Sequence, residues 1–252
     1  MPDKFDPLYR IRRQEIELVL SELCIQSNTR ILEIGCGSGV QSTFFSEKSR
    51  FVVSSDVNLT GVRFRWSYLV KCSAEYLPFE GNSFDVVYSS CVLEHIKNQK
   101  LALREMKRVL KRNGVLICVV PTFTWKMLQL ILFYPQMIYR FMVSQVKLKG
   151  HEIKFNNRPR ISLRYLTRAS IHGEFEGNAK EAIAYRKESW VYLFETNDFY
   201  VYKIKKLLLY APLGEMRAKN ITVIPPSLRM EKITGLCSSI ALFANLRDYC
   251  AH

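Results

Sequence analysis

The chain lacks several devices that would identify a function at once. Its seven cysteines, at 24, 36, 72, 91, 118, 237 and 250, include no Cys-x-x-Cys pair. Zinc-ribbon and thioredoxin-type readings therefore fall away, and reduced thiols inside apolar runs are expected. No metal site is expected. The N-terminal Met-Pro-Asp-Lys-Phe-Asp-Pro has no apolar signal region, so a cytoplasmic location is expected. The longest apolar stretch, 123–143, is interrupted by Lys126 and Arg140. It falls short of the roughly 20 apolar residues that a membrane-spanning helix needs. There is no internal repeat and no low-complexity tract. Glycine-Lys-Ser/Thr is absent, which excludes a phosphate loop.

What is present is a 252-residue chain with 48% hydrophobic and 24% charged residues, long enough for one α/β domain with an insertion. The net charge of +14 is unevenly placed. Residues 122–187 carry 12 basic and 4 acidic groups, so about a quarter of the chain holds over half the excess. Such asymmetry favours an anionic partner: a phosphorylated or otherwise anionic acceptor, a lipid surface or nucleic acid.

Hydrophobic periodicity gives the element order. Leu8, Ile11, Ile16, Leu20 and Leu23 predict an amphipathic helix within 8–26. Short apolar strands are predicted at 30–34, 51–56, 69–72, 84–88 and 114–120, with helices at 40–48 and 102–111 between them. Near-continuous apolar strands alternating with helices mean a parallel sheet covered on both faces. After Pro121 the pattern breaks. A helix is expected from Asn178, acting as its own cap, through Glu195. A short helical patch is expected near 162–169, and further strands at 199–205 and 238–245. The fold class is thus α/β, a Rossmann-like, mostly parallel seven-stranded sheet with helices on both faces. Residues 1–252 form a single domain. Within it, 122–187 are an inserted lid between the fifth strand and the helix that would otherwise follow.

The stretch Arg30-Ile-Leu-Glu-Ile-Gly-Cys-Gly-Ser-Gly39 is the most informative. A dinucleotide fingerprint needs Gly-x-Gly-x-x-Gly, but Val40 stands where its third glycine belongs. Glycines at 35, 37 and 39 still let the backbone approach a ligand closely. Asp56 ends the second strand, in the crevice where a carboxylate accepts from both hydroxyls of a ribose. Glu33 would favour a ligand with a positive group. A nucleoside with a cationic amino-acid tail, S-adenosylmethionine (SAM), fits this pair better than NAD.

These residues resemble the first motif of the class I SAM-dependent methyltransferases. Ser73-Ala-Glu-Tyr-Leu-Pro-Phe79, Asn82-Ser-Phe-Asp-Val-Val-Tyr-Ser-Ser-Cys-Val-Leu-Glu-His95 and Leu110-Lys-Arg-Asn-Gly-Val-Leu116 are similar to that family's later blocks, in its order and spacing, over about 28–121. The resemblance is nearest to the type 11-like methyltransferases of small molecules, lipids and glycans. It implies SAM as cofactor. Gly35, Cys36, Gly37 and Gly39 would lie along its methionine part and Glu33 near its ammonium. Asp56 would hold the ribose, Ser73, Ala74 and Leu77 would flank the adenine, and Ser89 and Ser90 would floor the sulfonium. The family often has an acidic residue where Ser73 stands, and Pro-Gly-Gly where this chain has Arg112-Asn-Gly114.

Methyl transfer from a sulfonium is an in-line displacement that needs alignment and exclusion of water. A hydroxyl acceptor also needs a base. Of the four histidines, His95 follows the fourth strand and His172 lies in the insertion, and these two are the candidate bases. The acceptor is expected to be a small or lipid-linked molecule. Peripheral membrane contact is expected through 123–143 and the basic residues Lys147, Lys149, Lys154, Arg158, Arg160, Arg164 and Arg168. Two alternatives stand beside this reading. One is an RNA or DNA methyltransferase, disfavoured because Tyr88-Ser-Ser-Cys91 replaces the Asn/Asp-Pro-Pro-aromatic signature. The other is a non-catalytic partner protein that keeps the fold.

Overall fold

The computed structural model describes residues 7–62, 68–133, 171–208 and 236–247. Helix α1 (Pro7–Leu20) precedes β1 (Arg30–Ile34), α2 (Val40–Ser46), β2 (Phe51–Asp56) and β3 (Tyr68–Lys71). β4 (Phe84–Ser90), α3 (Gln99–Val109) and β5 (Leu110–Pro121) follow. Residues 123–133 form a helix, α4. The chain continues with α5 (Asn178–Ala184), α6 (Lys187–Glu195), β6 (Phe199–Lys206) and β7 (Ser239–Leu246).

Seven strands make one sheet in the order β3-β2-β1-β4-β5-β7-β6. The first five pair in parallel, and β7 runs antiparallel to both β5 and β6. Alternate residues of the central strands feed two separate cores, as a sheet buried on both faces requires. Leu32, Val87, Leu116, Cys118 and Leu242 pack with Leu103 and Met106 of α3 and Trp190 and Phe194 of α6. On the other face, Ile31, Val86, Tyr88, Ile117 and Phe243 pack with Ile16 and Val19 of α1 and Phe44 and Phe45 of α2.

The expected fold class holds, and several boundaries move. The helix expected to reach Lys111 ends at Val109, because Leu110 already pairs with Phe84 as β5 begins. The single helix expected over 178–195 is two, broken at Tyr185 and Arg186. The Tyr185 hydroxyl turns inward to donate to Glu181 at 3.0 Å, while Trp190 sends its indole N–H to the Pro121 carbonyl at 3.0 Å. Two bulky side chains anchored at different depths set the break. Asn178 is not a cap; Gly177 holds that position and Asn178 is the first helical residue. Of the inserted stretch, residues 134–170 lie outside the described residues. So do the helical patch expected near 162–169, the second half of 123–143 and the seven basic residues named with it. No helix among the described residues is long and apolar enough to cross a membrane.

At the first crossover the backbone constraint is specific. Gly35 has φ of +74°, and a Cβ there would sit 2.1 Å from Cγ2 of Val92. The left-handed backbone and the contact act separately. Gly35→Ala is therefore expected to lower unfolding free energy by about 2 kcal/mol or more in urea titration. Adding Val92→Ala should recover the contact part and leave the backbone part.

Candidate active site

The parallel register brings the carboxyl ends of β1, β2 and β4 to one edge. Ile34 lies opposite Ser55 on one side and Ser89 on the other. The chain leaving β1 folds back on β2, where Gly35 and Cys36 both donate their N–H to the Ser55 carbonyl, at 2.8 and 3.0 Å. Gly37 and Gly39 also have positive φ, 53° and 80°. Gly37 donates its N–H to Asp56 Oδ2 at 2.9 Å, and Asn58 donates to Oδ1 at 2.9 Å. Each oxygen of Asp56 thus accepts one backbone donor and keeps lone-pair capacity for another. A Cβ built on Gly37 would meet nothing within 4 Å, so the loop faces open space there.

Glu33 lies beneath this loop, 1% exposed. Its Oε2 accepts from Ser42 and, at 3.1 Å, from Ser54. Burial outweighs these two hydroxyls and pushes its carboxyl up to about 7. Cys36 is buried beside it, and desolvation pushes its thiol up to about 12, leaving it an apolar wall. Ser73 follows β3, where Cys72 donates its N–H to the Asp56 carbonyl at 3.1 Å. The Ser73 hydroxyl accepts from the Glu75 N–H at 3.2 Å, closing its own turn. Ala74 and Leu77 are buried in the core, and Glu105 holds the Leu77 N–H at 2.9 Å.

The fourth strand ends differently. Ser89 is buried, and its hydroxyl has no hydrogen-bond partner among the described residues. The Ser90 hydroxyl accepts from Arg12 of α1 at 3.2 Å, and Arg12 also reaches the Cys91 thiol at 3.3 Å. Cys91 has φ of 54°, a strained turn that swings the chain away from the sheet. A single 3₁₀ turn, Leu93–His95, follows directly. The contact of Gly35 with Val92 sets this turn beside the glycine loop.

Residues 171–174 then close over the same turn. Glu174 donates its N–H to the Glu94 carbonyl at 2.9 Å. His172 and Gly173 donate theirs to Glu181 Oε1 at 2.7 and 3.0 Å, and Glu181 is in turn ion-paired with Lys126. Both members of that pair are fully buried. The result places the His172 ring 4.7 Å from the rings of both His95 and Trp125, edge-on to the first. Glu94, fully buried, completes the group: ligand-type atoms of Glu94, His95 and His172 lie within 4.8 Å of one another. Burial pushes the Glu94 carboxyl up to about 7. Burial, then the neighbouring His95, lowers His172 to about 4, and burial also lowers exposed-edge His95. Both shifts favour the neutral imidazole.

Sequence reasoning named His95 and His172 separately, and the fold brings them into contact. It missed Glu94, Lys126, Glu181 and Arg12. Glu94 was visible beside His95 in Leu-Glu-His. Nothing in chain spacing joined Lys126 to Glu181. Two open cavities of about 370 and 510 Å³ lie at the opposite sheet edge, lined by strand starts such as Arg30, Phe51 and Asp85, and hold none of these groups.

Residues 32–118 match the sequence model of the family described as "Methyltransferase domain". The fold is that of the class I SAM-dependent methyltransferases. It is similar to that of a SAM-dependent methyltransferase from Aquifex aeolicus, with a TM-score of 0.53 and 15% identity over 96% of this chain and 98% of that one. It is also similar to the YcgJ protein of Bacillus subtilis, with a TM-score of 0.51 and 16% identity over 92% and 95%. An uncharacterized protein of Methanocaldococcus jannaschii is 34% identical over 42% of this chain and 47% of its own length. The ubiquinone biosynthesis O-methyltransferase of Bartonella tribocorum is 22% identical over 67% and 74%. Demethylmenaquinone methyltransferase of Staphylococcus aureus is 29% identical over 40% and 46%. The chain thus spans about half the length of the first and last of these relatives.

SAM is the cofactor of this methyltransferase type, and the residues present fit it. The open space above Gly37 accommodates a ligand against bare backbone, and Asp56 is pinned by two N–H donors with acceptor capacity left for a ribose.

Two expectations follow from the buried carboxylates. Glu33 is raised from the ordinary 4.5 to about 7, so the folded state holds more protons than the unfolded state between those values. The contribution of Glu33 to stability is then greatest below about 4.5 and falls by about 3 kcal/mol as pH rises to about 7. Glu33→Gln should flatten that fall in urea titrations from pH 5 to 8. Lys126→Met leaves Glu181 buried and unpaired, and should cost about 3–5 kcal/mol in the same assay.

Proposed function

We propose that this protein transfers the methyl group of SAM to a hydroxyl of a small-molecule acceptor, with His95 taking the acceptor's proton. The observation that carries the reading is the contact of His172 with His95, whose turn touches the glycine loop at the carboxyl edge. SAM supplies a methyl already activated on a sulfonium. The chain's own task is to hold the two reactants in line and dry. Asp56 and the glycine loop orient the nucleoside. His172, wedged between His95 and Trp125, keeps the imidazole face of His95 in place. His95 is exposed, and burial of its inner edge favours the neutral ring that accepts a proton as the methyl is transferred. The names of the two quinone-pathway relatives support a small organic acceptor.

The finer reading concerns what else the acceptor carries. The charge excess over 122–187 supports an anionic or lipid-linked molecule, met by a cytoplasmic protein that touches the membrane through 123–143.

The test begins with calorimetry of SAM binding to the full chain. Binding is expected, and Asp56→Ala should weaken it at least about tenfold, the loss of one charge-assisted contact. Label from methyl-radiolabelled SAM should then pass to a low-mass, organic-extractable product of a cell extract. His95→Ala should cut that rate by roughly 10²–10⁴ with SAM affinity unchanged. Absence of binding heat from folded protein, or label found only in RNA, overturns the reading.

A further inference from the structure

We propose that Glu94, His95 and His172 form a binding site for one divalent transition-metal ion of the Zn²⁺ class. The inference names what the histidine pair of the proposed function holds, but it stands on separate observations. The ligand-type atoms of all three residues lie within 4.8 Å of one another. Tetrahedral Zn²⁺ with nitrogen and oxygen ligands needs a spacing of roughly 3.3 Å, within reach of small side-chain rotations. Two imidazoles and one carboxylate are the donor set of catalytic zinc and of related open-sided centres.

The second observation is the state of Glu94. Its side chain is fully buried, and no other described residue donates a hydrogen bond to either carboxylate oxygen. A buried carboxylate without donors is costly and calls for a counter-charge. Lys126 is committed to Glu181. Arg12 acts on Glu94 only from a distance, its guanidinium contacting Glu15, Ser90 and Cys91 at 2.9, 3.2 and 3.3 Å. The His95 and His172 rings lie beside Glu94, and a cation shared with them would supply a counter-charge in contact.

The third observation is that the ligands come from two parts of the chain. Glu94 and His95 sit on the turn after β4, and His172 on the segment pinned by Glu181. An ion would clamp residues 171–174 onto the turn at the place where the acceptor must enter. With three protein ligands a fourth position stays open for an oxygen atom. With an ion present, a hydroxyl held there would be made more acidic and would release its proton to water on binding, while His95 would serve as a ligand. In the metal-free protein His95 accepts it.

The experiment uses the full chain, stripped with EDTA, desalted and titrated with Co²⁺. Visible d–d absorption and metal analysis after equilibrium dialysis are read together. The expected result is one Co²⁺ per chain, displaced by Zn²⁺. Glu94→Gln, His95→Ala and His172→Ala should each weaken binding by roughly tenfold or more, since loss of even an outer partner costs 10–100-fold. His172→Ala keeps the backbone N–H that Glu181 holds, so it should fold, and circular dichroism confirms that for each variant. If Glu94→Gln does not fold, the two histidine variants decide. Sub-stoichiometric Co²⁺ on folded wild-type protein, or wild-type affinity in folded His95→Ala and His172→Ala, overturns the site. SAM calorimetry separates the two readings: Co²⁺ binding without SAM binding refutes the methyltransferase reading alone.

Discussion

The Glu181 carboxylate is the constraint on which the site depends. It is fully buried, and a buried charge survives only when its lone pairs are taken up. Here Lys126 supplies the opposite charge, while the Tyr185 hydroxyl and the N–H groups of His172 and Gly173 supply the donors. These partners come from α4, α5 and the irregular segment before it. A segment with no regular structure of its own is thereby held in one place by backbone hydrogen bonds. His172 faces His95 because of that, and the Glu174 N–H bonded to the Glu94 carbonyl completes the docking.

The second constraint is the parallel register at the sheet centre. β1 lies between β2 and β4, so the turns that leave all three strands open on the same side. Such an edge presents loops, and loops carry the polar groups that the apolar strands cannot. Asp56, the glycine loop and the turn 91–95 meet there because of strand order. The division of labour is visible in the contacts. Backbone N–H groups orient Asp56 without using up its acceptor capacity, and Val92 fills the space that only glycine at 35 leaves open.

Electrostatics within this edge are uneven. Glu33, Glu94 and Glu181 are all buried, yet of these only Glu181 has an opposite charge in contact. Glu33 has two serine hydroxyls, and Glu94 has none among the described residues. Burial pushes Glu33 and Glu94 up to about 7, where small changes in surroundings alter charge. Three buried carboxylates of the same type thus meet three different sets of partners.

The sequence by itself determined the strand positions, the two-sided sheet and the glycine loop with Asp56. Those features rest on local periodicity, on backbone freedom at glycine and on short-range spacing, all of which are readable along the chain. It misplaced the break at Tyr185 and the cap at Gly177, since both depend on which side chains find buried partners. It named His95 and His172 without joining them. Only the tertiary structure decided that they touch, that Glu94 lies beside them unpartnered, and that Lys126 meets Glu181. Pairings of that kind follow from desolvation and from the geometry of closure between distant segments, and neither leaves a period in the chain.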